Sequence, residues 1–77
     1  MKNKLISLLQ ELIITTDKTD LVNLKASIMQ KTVFLARPET SGEIGNIMHA
    51  VNSYIELPNA NNIENVEKVI KRLNDKF

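Results

Sequence analysis

Apolar residues recur at intervals of three and four along nearly the whole chain. That spacing stacks side chains on one face of an α-helix, and no sustained two-residue alternation competes with it. Leu5, Leu8 and Leu12 form one stripe, and Ile6, Leu9 and Ile13 form a second beside it. Farther on, Leu21, Leu24, Ile28 and Leu35 make a stripe with Val22, Ala26, Met29, Val33 and Ala36 next to it. Both helices are therefore expected to bury a broad arc. Ile44, Ile47, Met48, Val51, Tyr54 and Ile55 carry the pattern onward, and Ile63, Val66, Ile70, Leu73 and Phe77, with Val69 alongside, resemble a heptad seam. The segment KTVFLA at 31–36 has some β-propensity, yet it continues the helical stripe and has no partner strand elsewhere.

The breaks between segments carry helix-end chemistry. TTDKTD at 15–20 offers Asp17 and Thr19 as caps whose oxygens accept the unpaired amides of a new first turn. The second helix is expected from about Asp20 to Ala36, because Pro38 disfavours the α conformation at Arg37. Thr40 and Glu43 have the spacing of a capping box, which places the start of the third helix there, and Pro58 ends that helix near Leu57. Gly42 falls in its first turn. Gly45 lies inside it at a cost of about 1 kcal/mol relative to alanine, which points to close packing by a neighbouring helix. Asn61 and Glu64 repeat the capping spacing before the last helix, where Lys68, Lys71, Arg72 and Lys76 lie toward the end that the helix dipole favours for cations. Four helices joined by short turns predict one all-α domain over residues 1–77, an antiparallel four-helix bundle.

Composition narrows the setting. With no cysteine, neither a disulfide nor a thiolate metal site can reinforce this 77-residue core, which suits a reducing cytoplasm. The start MKNKLISLLQELIITTDK has lysines ahead of an apolar stretch, but Gln10 and Glu11 interrupt it and no cleavage pattern follows, so it reads as a helix rather than a signal peptide. No apolar run approaches the ~20 residues of a membrane span, so no direct membrane insertion is expected. A net charge of +1 lacks the electrostatic footprint of a nucleic-acid binder.

Residues that might carry chemistry are few. Gly42 and Gly45 have the GxxG spacing of a phosphate-clamping loop, but no strand surrounds them and no cation lies between them. A helix-turn-helix reading fails because the third helix offers Asn46, His49 and Asn52 but no lysine or arginine. His49, the only histidine, shares a polar face with Asn46, Asn52, Ser53 and Glu56, and no nucleophile stands beside it. Asp17, Asp20, Glu39 and Glu43 sit near connections, where carboxylates cap helices. No enzyme activity, cofactor or metal is expected.

The more informative feature is an apolar surplus. Ile14 projects with Ser7, Gln10 and Glu11, and Phe34 with Ser27, Gln30 and Lys31, so both stand off the main stripes of their helices. Together with the two full stripes of the first helix, they point to docking on a protein partner. A first helix at the edge of the bundle would favour a weak homodimer, and one lying between the second and fourth helices a monomer.

A leucine-rich first helix, a second ending in a short polar turn, a third carrying IGNIMHAVNSYI and an amphipathic fourth give a layout that resembles the small immunity proteins of class IIa (enterocin A-type) bacteriocin producers. The resemblance implies a cytosolic bundle that protects its own producer by acting on the bacteriocin-bound sugar permease. It also implies that specificity resides in the C-terminal half, here the region that includes His49, Asn52, Lys68, Lys71 and Arg72. The alternative is another small helical partner-binding protein, either a secretion co-chaperone or a sequestering regulator.

Overall fold

Four helices follow the four periodic segments: α1 (Lys2–Leu12), α2 (Lys18–Leu35), α3 (Ser41–Glu56) and α4 (Ala60–Lys76), with a single 3-10 turn at Pro38–Thr40 between α2 and α3. The structure, a computed structural model, describes the backbone of residues 2–76 and the side chains of residues 3–75. Phe77, the last residue of the expected heptad seam, and the Lys76 side chain lie outside the described residues. An 18-residue helix such as α2 is about 27 Å long, so within extents of 32 × 22 × 18 Å the helices must fold back on one another. α1 packs on α2 and α4, and α3 packs on the same two, which closes an all-α four-helix bundle. The radius of gyration is 11.4 Å. A compact chain of this length is expected near 11.5 Å, by the scaling of about 2.2·N^0.38.

The core is built from one face of each helix. Leu5, Ile6, Leu9 and Leu12 of α1 are buried against Leu21 and Ile28 of α2, Ile47, Ala50, Val51 and Tyr54 of α3, and Val66, Val69 and Leu73 of α4. Leu8 and Ile13 pack at its margin, so both stripes of α1 are used within the bundle. α1 thus lies between α2 and α4 rather than at an edge.

The other broad arc is a correction. Only one stripe of α2 enters the core, while Val22, Met29 and Val33 of the second stripe are exposed, as is Ala26. At about 100° per residue, Lys25 and Thr32 fall between the two stripes, and this polar wedge separates an inner face from an outer one. Thr32 fills the inner face between Ile28 and Leu35, and its hydroxyl donates to the Met29 carbonyl at 2.7 Å.

The helix ends differ from the expected caps at two places. Asp17 does cap α2, its carboxylate accepting from the Asp20 amide at 3.1 Å. Thr40, in contrast, makes no side-chain cap to α3. Its buried hydroxyl turns back toward α2, donating to the Leu35 carbonyl at 2.7 Å and accepting from the Arg37 amide at 2.9 Å. The 3-10 turn that Pro38 begins is what swings Thr40 toward the end of α2. Before α4, Asn59 rather than Asn61 is the cap, accepting from the Asn62 amide at 2.9 Å, because the helix starts at Ala60, two residues earlier than the Asn61–Glu64 spacing suggests. Asn62 then donates to the Ser53 and Leu57 carbonyls, a second donor for acceptors that already take the Leu57 and Asn59 amides, and so ties the start of α4 to the end of α3. Gly45 is also corrected, since a Cβ placed there would meet nothing within 4 Å. No close helix contact requires that glycine.

Candidate functional site

Two surfaces stand out, and only some of the residues singled out from sequence lie on them. The first is the outer face of α2, where Val22 is 59% exposed, Met29 48% and Val33 69%. With Ala26 between them they step by four, three and four along the helix, the spacing of a coiled-coil seam, and no other helix of the bundle covers them. Phe34 is 64% exposed and lies about 100° farther round the helix than Val33. Ile14 is 81% exposed in the connection between α1 and α2. Phe34 thus stands off the core as its helical spacing requires, whereas Ile14 does so because α1 ends before it, and the two lie on separate elements.

The second surface is a groove between α3 and α4. Asn46 and His49 from α3 and Asn65, Lys68 and Arg72 from α4 line it over a floor of Ala50 and Val69, around a cavity of about 300 Å³. The i, i+3 and i, i+4 spacings on both helices align these side chains along one trough. The Lys68 ammonium lies 3.6 Å from the Glu64 carboxylate, one turn earlier on α4, and both groups are mostly exposed. Such a pair contributes little to stability. His49, Lys68 and Arg72 are therefore brought together, whereas Asn52 and Lys71 are not part of the groove. Asn52 is exposed farther along α3, and Lys71 lines a different depression with Gln10, Ile13, Glu67, Ile70, Asn74 and Asp75, between α1 and α4.

The chemistry available to this groove is that of hydrogen bonding and positive charge. Two amides, an imidazole, an ammonium and a guanidinium offer donors to an acceptor-rich surface. Among the described residues, no group of three or more histidine, cysteine, aspartate or glutamate side chains is placed to hold a metal ion. No helix among the described residues is long and apolar enough to cross a membrane.

Reasoning from the sequence missed the outer face of α2, reading Val22, Met29 and Val33 as core, and it missed Leu57, 60% exposed where α3 ends. The signal was present in Lys25 and Thr32, which interrupt what would otherwise be one continuous apolar arc. For Leu57 the neighbouring Pro58 marks a connection, where an apolar side chain has no helical face to join.

Comparison of the chain with protein-family models, curated proteins and solved structures found no match.

Proposed function

We propose that this chain is a non-enzymatic binding protein of the bacteriocin-immunity type, which works in the cytoplasm and protects its producer by docking on a protein partner, the bacteriocin-bound membrane sugar permease. The observation that carries the reading is the exposure of Val22, Met29 and Val33 on one side of α2 in a chain whose other helices turn their apolar stripes inward. A 77-residue domain gains stability by burying such residues. Leaving three large ones in register on the surface suits a face that is covered by something else. The all-α four-helix architecture is also the one that the resemblance implies.

The coiled-coil spacing on α2 favours a second reading, a regulator that sequesters a helical segment of its partner. Protection assays separate the two. Expression in cells sensitive to a class IIa bacteriocin should raise the killing concentration well above that of cells carrying an empty vector. Unchanged killing at a verified level of folded protein would remove the immunity reading and leave the sequestering regulator.

A further inference from the structure

We infer that the outer face of α2 docks an acidic amphipathic helix of the protein partner; this rests on the binding-protein reading above and names the kind of segment bound. Val22, Ala26, Met29 and Val33 occupy alternating d and a positions of a heptad seam, and at about 100° per residue they lie within roughly 60° of arc. In that register Lys18 and Lys25 are both g positions, which border the seam and select partners by charge. Asn23 and Gln30, at the e positions, border it on the other side without charge. The helix carries one acid inside its span, Asp20, and that residue points about 160° away from Val22. Among the described residues neither Lys18 nor Lys25 is in an ion pair.

These charges decide the occupant. A second copy packed antiparallel, with Val22 on Val33 and Ala26 on Met29, would set Lys25 against Thr32, and a parallel copy would set lysine against Asn23 and Gln30, with no attraction in either case. A helix with leucine-like residues in its own seam and glutamates beside it fills the apolar face and neutralises both lysines.

The test uses the full chain and two synthetic peptides of about three heptads, each with leucine at a and d. One carries glutamate at e and g, and its twin carries lysine. The glutamate peptide should bind, and the lysine twin should bind at least about tenfold more weakly. The K18Q/K25Q variant should lose most of that discrimination. V22Q/M29Q/V33Q should lose binding altogether while its circular dichroism is unchanged, because these side chains lie outside the core. Should a variant misfold, the two peptides compared on the unaltered protein still decide. Equal binding of the twins would overturn the inference, as would binding to phosphatidylserine vesicles with neither peptide bound, or concentration-dependent dimerisation that V22Q/M29Q/V33Q abolishes. Protection that survives in the folded triple variant would sink the α2 site and leave the immunity reading standing. Failure of the unaltered protein to protect would sink that reading without touching the peptide result.

Discussion

The Tyr54 hydroxyl donates a hydrogen bond to the Thr15 carbonyl at 3.0 Å, joining α3 to the connection between α1 and α2 across 39 residues of sequence. The ring is buried in the core and its oxygen reaches a backbone acceptor in the connection, outside any helix ladder. Tyr54→Phe keeps the ring and removes this one bond, so it should cost about 0.5 to 1.5 kcal/mol in a urea titration. An unchanged midpoint would mean that water replaces the tyrosine at no cost.

Thr40 ties the end of α2 rather than the start of α3. Thr40→Ala removes a hydroxyl that both donates to Leu35 and accepts from Arg37 in a buried position. A loss of about 1 to 3 kcal/mol is expected, and Thr40→Ser should recover most of it. Equal losses in the serine and alanine variants would assign the effect to the methyl group instead.

Gly45 sits inside α3 with open space where a side chain would be and without a positive φ. Gly45→Ala should therefore stabilise the protein by about 0.5 to 1 kcal/mol, since it reduces the freedom of the unfolded chain and strains nothing. Thermal denaturation gives the sign directly. A destabilised Gly45→Ala protein would show that another chain segment approaches α3 more closely than the structure indicates.

Lys68, Lys71 and Arg72 were grouped from sequence, but Lys71 faces a different depression from the other two. Replacing all three with glutamine should leave the fold intact, at less than about 0.5 kcal/mol per site. If the α3–α4 groove contributes to protection, Lys68→Gln and Arg72→Gln together should lower it and Lys71→Gln alone should not. Loss of protection from Lys71→Gln alone would move the contact to the α1–α4 side.

Much of the fold was legible because helix periodicity and proline punctuation are local signals. The ends of α2 and α3 came within two residues of their expected places, since Pro38 and Pro58 act on the residues beside them. Which stripe of α2 faces inward was not legible from stripe counting, because burial depends on where the other helices lie. The Thr40 hydroxyl was misassigned for a related reason: its spacing to Glu43 fits a capping box, but the intervening 3-10 turn directs it backward. Of the candidate site, the exposure of Phe34 followed from its helical phase, whereas Ile14 is exposed because α1 ends at Leu12 and leaves it in the connection. That His49 lines one groove with Lys68 and Arg72 depends on how α3 and α4 pack, and no spacing within either helix reveals it.

The claim on which the functional reading rests is that the outer face of α2 is open in the free protein and covered when a partner helix binds. Methyl relaxation by a soluble paramagnetic probe, measured with and without the glutamate peptide, reports this residue by residue. The expected result is strong relaxation of the Val22, Met29 and Val33 methyls in the free protein, which falls when the peptide is added, while the exposed Leu57 methyls stay unchanged. Weak relaxation of the three methyls before any peptide is added, or no change in them at saturating peptide, would contradict it.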